Sequence, residues 1–302
     1  MAIQTFDQLL STAQAKSPRH VAVAAAHDLQ VLTSVDEAQR QGIAVATLIG
    51  DARRIESIAA AERLALDGVQ VIHETDTVLA ARKAVALARE GQADVVVKGQ
   101  VETSELLGAV LDRHTGVRHK KLLTHIALFE IPGYERLIYM SDTGVVLYPN
   151  IWQKLEIIRN VVDVAHHLGL TEPKVAIVTA FEIVHPKSSA SVDALALARM
   201  ADEGWVKDAI VDGPLALDIA ISPESARIKK ARTRIAGNAD ILIVPSVPAG
   251  NIAAKGILYF GGARVAGLVV GAQVPIIINS RADNAETRLL SMALASVLAA
   301  SG

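Results

Sequence analysis

From residue 21 onward, short apolar runs of strand length alternate with stretches of helical length almost to the end of the chain. Strand patterns at residues 21–26, 43–49, 69–72 and 94–97 are each followed by a helical pattern, at 31–41, 53–66, 77–89 and 104–111. A strand that is apolar throughout, rather than on alternate residues, is covered on both faces. Strand–helix–strand succession joins neighbouring strands in parallel. The chain is therefore expected to be an α/β protein of three layers (α/β/α), with a mostly parallel sheet between helices.

One interruption carries information. Runs at 122–131 and 136–140 flank Pro132-Gly133-Tyr134, which predicts an antiparallel hairpin. Alternation then resumes with a helix over 151–168 closed by Gly169, a strand at 175–178, a helix over 191–201 and a strand at 209–211. Three more strand patterns follow at 241–244, 267–270 and 275–278, and a last helix spans 285–300. We read two α/β lobes, residues 1–120 and 121–280, the second carrying the hairpin as an insertion. The apolar face of the last helix (Leu289, Leu290, Ala293, Leu294, Val297, Leu298) needs a partner. Giving residues 281–302 to the first lobe supplies one.

Composition narrows the function classes. Hydrophobic residues make up 51% of the 302 residues but aromatics only 3%, so the core must be aliphatic and Ala-rich. A formal charge of −2 provides no field for nucleic acid, and few rings remain to stack on bases. There is no cysteine, which removes disulfides, thiolate metal sites and cysteine nucleophiles and fits a reducing cytoplasm. The first residues lack the basic-then-apolar layout of a secretion signal. The mean hydropathy of +0.33 is ascribed to buried strands. The longest apolar stretch, residues 265–278, is broken by Gly267, Gly271, Gln273 and Pro275 and falls short of the ~20 residues of a membrane span. No membrane partner is expected.

The common phosphate loops are absent: there is no GxxxxGK[ST], and His27-Asp28 rather than GxGxxG follows the first strand. GxSxG is missing too, which disfavours an α/β-hydrolase. The histidines form no ligand set. His166 and His167 are adjacent and, on a helix, point about 100° apart. No metal site is expected. The basic stretch Arg113, His114, Arg118, His119, Lys120, Lys121 reads either as a solvated loop or as an anion-binding rim.

Three segments at strand ends, where open α/β sheets bind ligands, are the site candidates. Ser141-Asp142-Thr143-Gly144 is either a turn or a loop whose hydroxyls and N–H groups hold an anion. Ala249-Gly250-Asn251 with Lys255 offers a glycine that admits close approach, an amide able to cap a helix, and an ammonium one turn on. Asn279-Ser280-Arg281-Ala282-Asp283 opens the last helix. Ser280 or Asp283 reads as its N-cap, or Arg281 binds an oxyanion in bidentate fashion while Ser280 donates a hydrogen bond to developing charge.

Taken together, these segments resemble the phosphate acetyltransferase/phosphate butyryltransferase family, and its butyryl branch most. The resemblance runs from about Val95 through VVKGQVETSELLGAVL, MSDTGVVLYPN followed by QKLEIIRN, DGPLALDIAIS, AGNADILIVP, AGNIAAKG and AGLVVGAQVPIIINSRAD. It implies a two-lobed fold of the isocitrate/isopropylmalate-dehydrogenase type with a cleft between lobes. It also implies reversible transfer of a short acyl group, butyryl favoured, between coenzyme A and inorganic phosphate. On this resemblance Ser280 stabilises the transition state and Arg281 holds the acyl phosphate. Asn251, Lys255, Gly250, Ser141, Thr143, Gly144 and Asn279 are assigned to substrate or phosphate, and Lys98, Thr103 and Ser104 to the coenzyme A region. Coenzyme A enters as a substrate, no tightly bound cofactor is implied, and a homodimer or higher homo-oligomer is.

Two positions depart from the acetyl pattern. An aspartate implicated in activating the thiol, seven residues after the serine, is replaced by Thr287, and an arginine of the acetyl enzymes falls at Gly108. The general base is thus unassigned, with Asp283 and Glu286 near but displaced. The alternatives are acetyl specificity, a β-decarboxylating dehydrogenase-like enzyme, and a non-catalytic acyl-CoA-binding relative.

Overall fold

A computed structural model of the chain describes residues 2–66 and 68–299. It is a mixed α/β protein that divides into two compact units. One comprises residues 6–121 and 265–299, the other residues 2–5 and 122–264. Along the first stretch run α1 (Phe6–Gln14), β1 (Arg19–Ala24), α2 (Leu29–Arg40), β2 (Ala44–Gly50), α3 (Ala52–Glu62), β3 (Gln70–His73), α4 (Thr77–Arg89), β4 (Val95–Lys98) and α5 (Thr103–Leu111). The next unit carries β5 (Thr124–Glu130), β6 (Ile138–Ser141), α6 (Ile151–His167), β7 (Lys174–Thr179), α7 (Ser189–Asp202), β8 (Ile210–Ala216), α8 (Leu217–Ile221), α9 (Pro223–Ile228), β9 (Ile241–Ile243) and α10 (Val247–Tyr259). The chain then returns through β10 (Arg264–Val270), β11 (Ile276–Ile277) and α11 (Ala285–Ala299).

In the N-terminal unit the strands lie in the order β3-β2-β1-β4-β11-β10. All pairs are parallel except β10 with β11. The alternation seen in the sequence produces this directly: each apolar run (β1 is buried over its last four residues, β4 throughout) is covered by the helices that connect it to the next. Helix starts obey side-chain chemistry. Asp28, Asp51 and Asp76 each precede a helix and accept N–H groups of its first turn. The second unit orders its strands β5-β6-β9-β7-β8, with β5 and β6 antiparallel about the Pro132-Gly133 turn, where Gly133 takes φ +82°.

The last helix finds its partner in the N-terminal unit. Helix α11 packs on α1, α2, β4 and β11, burying Leu289, Leu290, Met292, Ala293, Leu294 and Val297. Full burial of each large aliphatic side chain contributes about 1.5–3 kcal/mol. The boundary differs from the expected one. The return to the N-terminal unit begins at Val265 rather than at residue 281. The reason is strand pairing: β11 hydrogen-bonds alongside β4, Ile276 opposite Val96 and Ile277 opposite Val97, so β11 and its antiparallel neighbour β10 belong with the early strands. Among the described residues, no helix is long and apolar enough to cross a membrane.

Candidate active site

Parallel pairing aligns the carboxyl ends of β1, β4 and β11. Ala24 lies opposite Lys98, and Val97 opposite Ile277. The segments leaving these strands therefore gather at one edge: His27-Asp28 after β1, Gly99 to Glu102 after β4, and Asn279 to Asp283 after β11. This is where open α/β sheets hold ligands. Gly99 makes the gathering tight. A Cβ there would lie 2.3 Å from the carbonyl oxygen of Ala25 and 2.6 Å from that of Ala24. In its absence the N–H groups of Gly99 and Gln100 donate to the oxygens of Ala24 and Ala25 respectively, at 2.8 Å each.

Ser280 and Arg281 are both exposed at this edge. Their loop is fixed from behind. The Ser280 N–H donates to Asp283 Oδ2 at 2.8 Å, and Arg288 Nη2 donates to the Ser280 carbonyl at 3.0 Å. Asn279 is buried and reaches Asp283 and Ser291, both at 3.4 Å. Neither Ser280 nor Asp283 caps the last helix: Asn284, immediately before α11, accepts the Thr287 N–H on its Oδ1 at 2.9 Å. With its carboxylate tied to Ser280 and Asn279, Asp283 serves the loop. Thr287 sits one residue from Arg288 with its N–H in that cap.

The electrostatics of the edge are cationic on the inside. Arg281 Nη2 bonds Glu102 Oε1, with both side chains exposed. Lys98 and Arg288 are each 5% exposed, and among the described residues neither has a carboxylate within ion-pair distance. Among the described residues, Lys98 Nζ donates only to the carbonyl of Gly99, at 3.3 Å, and Arg288 Nε is buried without a partner. Burial pushes the Lys98 ammonium below the usual lysine range, and the charges of Arg281 and Arg288 push it further, against Glu102 and Asp28. Burial likewise lowers the Arg288 guanidinium, opposed by Asp28 and Asp283. Asp28 is occupied with the Val31 N–H at 3.0 Å and Gln100 Nε2 at 2.5 Å. An edge that concentrates buried positive charge in this way is suited to an anion. Sequence reasoning missed Arg288, Asp28 and Glu102. The available signal was an arginine on the apolar side of the last helix, in step with Met292 and Ala295. Thr103 and Ser104 open α5, where Glu105 Oε2 accepts the Glu102 N–H at 3.3 Å.

The other sequence candidates lie in the second unit, at the carboxyl ends of β6 and β9, which pair Ser141 with Ile243. Here the loop 141–144 is built around its own anion. Buried Asp142 accepts the N–H groups of Gly144 and Val145 at 2.8 Å, Val146 at 3.3 Å and His125 at 3.2 Å. Ser141 is fully buried and donates its hydroxyl to the His125 carbonyl at 2.8 Å; Thr143 Oγ1 meets His125 Nδ1 at 2.6 Å. Asp142 thus takes the Gly144 N–H, and His125 is the partner of the Ser141 and Thr143 hydroxyls.

Gly250 and Asn251 also differ from expectation. Both lie inside α10, and Asn251 does not cap it. Ser246 is the N-cap of α10, its side chain accepting the Ala249 N–H, with Pro248 in the first turn. The Ser-Val-Pro start signal outweighs the asparagine five residues later. Gly250 instead lets the helix lie against loop 141–144: a Cβ would meet Val244 Cγ2 at 2.7 Å, the Asp142 carbonyl at 3.0 Å and Thr143 Cγ2 at 3.2 Å. Asn251 is exposed, and Lys255 Nζ lies 6.0 Å from the centre of the Tyr259 ring. No three of His, Cys, Asp and Glu are gathered as a metal ion requires, among the described residues.

A mixed α/β chain with a cationic strand edge, an exposed Ser-Arg pair and buried cations behind it belongs with the anion-handling proteins, and comparison with known proteins specifies the class. The model of the family described as "Phosphate acetyl/butaryl transferase" matches residues 4–79 and 73–296. The chain is 39% identical to a phosphate butyryltransferase of Clostridium acetobutylicum over 98% of its length and 99% of that relative's. It is 37% identical to a phosphate acetyltransferase of Rhizobium meliloti, over 98% and 93% of the two chains. Its structure is similar to that of a branched-chain phosphotransacylase from Enterococcus faecalis V583, with a TM-score of 0.82, 30% identity, and 93% and 99% of the chains covered. The chain belongs to the phosphate acetyl/butyryl transferase family.

Proposed function

We propose that this chain is a phosphate acyltransferase moving a short acyl group between coenzyme A and inorganic phosphate, with butyryl preferred. The observation that carries the reading is the edge of β1, β4 and β11, where the exposed Ser280-Arg281 pair stands in front of buried Lys98 and Arg288. In the direction of acyl phosphate synthesis, a phosphate oxygen attacks the thioester carbonyl. A tetrahedral oxyanion forms, the C–S bond breaks, and the thiolate takes the proton that phosphate gives up. Two anionic partners must meet, so the first demand is positive charge. Arg281 answers it with a planar fork that matches phosphate geometry. Ser280 is assigned the hydrogen bond to the oxyanion. Holding both substrates in register supplies the rest without a covalent intermediate. In the reverse direction the same proton returns from the thiol to the departing phosphate, so no separate base is required to balance the step.

The butyryl preference is supported by the wording of the motifs around Ser141 and Ser280 and by the likeness to phosphate butyryltransferases. Acetyl is the alternative. The finer architecture, of the isocitrate/isopropylmalate-dehydrogenase type, is part of the same proposal. So is a homodimer or higher oligomer, for which the exposed Ile252, Tyr259 and Phe260 at α10 offer an apolar surface. The test is to incubate the protein with butyryl-CoA or acetyl-CoA and follow free thiol with and without phosphate. Failure to release coenzyme A in a phosphate-dependent way from any short acyl-CoA would sink the reading. Arg281→Ala should abolish nearly all of that activity, and Lys230→Ala, on an exposed loop, almost none.

A further inference from the structure

We propose that Lys98 is a phosphate-contacting residue: its ammonium, beside Arg281, forms the inner wall of the subsite for inorganic phosphate or the phosphoryl group of the acyl phosphate. This inference rests on the phosphate acyltransferase reading and moves Lys98 out of the coenzyme A region. Lys98 is the last residue of β4; Ala24 of β1 pairs with it directly, and Ile277 of β11 pairs with Val97 just before it. Gly99 comes immediately after it, with no room for a side chain. The residue is only 5% exposed, yet among the described residues its side chain makes one hydrogen bond, to the carbonyl of Gly99.

The groups that face it do not neutralise it. Asp28, from the start of α2, is already shared between Gln100 and the Val31 N–H, and Glu102, from the start of α5, is bonded to Arg281. Arg281 and Arg288, from the β11–α11 side, repel it. A buried ammonium without a counter-charge is retained only where something supplies one. A tetrahedral phosphate does so, and the same anion engages Arg281. Glu102 then stands in for phosphate on Arg281 and yields that place when phosphate binds. Coenzyme A carries phosphates too, but its reacting end is a thiol on a long arm. Lys98 lies beside the Ser280-Arg281 pair assigned to the reacting centre, so the phosphate that reacts is the source we assign.

The test compares wild type with Lys98→Met and Lys98→Arg. In steady state, Lys98→Met is expected to raise KM for phosphate at least tenfold while leaving KM for butyryl-CoA within twofold, and Lys98→Arg is expected to recover part of the loss. Inorganic phosphate alone should raise the melting temperature of wild type by mass action. That rise should vanish in Lys98→Met, whereas the rise produced by coenzyme A alone should persist. A raised KM for butyryl-CoA with that for phosphate unchanged, or a coenzyme A shift lost while the phosphate shift stays, overturns the proposal and returns Lys98 to coenzyme A. No change in either also overturns it. If Lys98→Met fails to fold, Lys98→Gln and Lys98→Arg carry the same comparison. Absence of phosphate-dependent thiol release in wild type would instead remove the acyltransferase reading, while the phosphate-alone melting shift would still judge Lys98 as an anion ligand.

Discussion

Replacing Gly99 by alanine tests how tightly the strand edge is built. The added Cβ would stand 2.3 Å from the Ala25 carbonyl oxygen and 2.6 Å from that of Ala24, both backbone atoms that cannot swing aside. To clear 3.0 Å, the nearer oxygen and the β4 end must separate by about 0.7 Å. That motion pulls on the two hydrogen bonds, 2.8 Å each, that Gly99 and Gln100 donate to the same oxygens. Overpacking of this kind costs about 1–3 kcal/mol, and weakening two backbone hydrogen bonds adds roughly 0.5–1.5 kcal/mol each. Because the bonds stretch rather than break, the whole comes to about 2–4 kcal/mol. Since Lys98 and Glu102 flank the glycine, the displacement also shifts them relative to Ser280 and Arg281. Misplacements approaching 1 Å cost on the order of 10²-fold in rate. Urea unfolding should therefore show a lowered midpoint, and phosphate-dependent thiol release per folded molecule should fall by about that factor. A variant as stable as wild type, with unchanged kcat, would refute the close approach of β1 and β4. A destabilised variant with full activity would refute its link to the site.

Other expectations rest on single contacts. Gly108→Ala, in the middle of α5 with nothing within 4 Å of the added Cβ, should stabilise the protein by about 0.5–1 kcal/mol in urea unfolding, because only backbone entropy changes. Arg288→Met should lower kcat at least tenfold while leaving the urea midpoint unchanged or raised, since it frees the Ser280 carbonyl but removes a buried cation; an unchanged kcat would mean Arg288 does not position Ser280. Gly250→Ala should be destabilising despite the gain of about 1 kcal/mol in helix propensity, because Val244, Asp142 and Thr143 leave no room; a higher melting temperature would contradict the packing of α10 on loop 141–144. Asp112 is held down to about 2 by hydrogen bonds from Thr115 and His114. Its folded value lies below its unfolded one, so its contribution is complete above pH 3.8 and disappears as pH falls from there towards 2. Asp112→Asn should flatten the acid limb of the stability profile in that window, and an identical limb would disprove the assignment.

Much of this was legible in the chain. The strand–helix alternation wrote the mixed α/β architecture, because apolar runs of strand length cannot be buried any other way once helices connect them. The Pro132-Gly133 turn marked the antiparallel pair β5–β6. The motif wording led to the family to which the chain belongs. Asp28, Asp51 and Asp76 cap their helices by contacts within one turn, yet the caps read from the sequence are Asn251 and Ser280 or Asp283.

What the tertiary structure alone decided is everything that depends on which strand end meets which. Lys98 and Arg288 lie in the two separate chain segments of the N-terminal unit, and nothing in either neighbourhood says they share an edge. Pairing of β11 with β4 brings them there and also moves the return of the chain to Val265. The same holds for the loop 141–144. Its sequence reads equally as a turn or an anion cradle, and only the placement of Asp142 against the N–H groups of His125, Gly144, Val145 and Val146 shows that it encloses its own charge. The sequence by itself determined the periodicity and the family, because those are written in residue order and do not wait for distant neighbours. Burial of a charge, the crowding at a glycine and the partner of a hydroxyl are properties of neighbours far apart in the chain, and they exist only once it is folded.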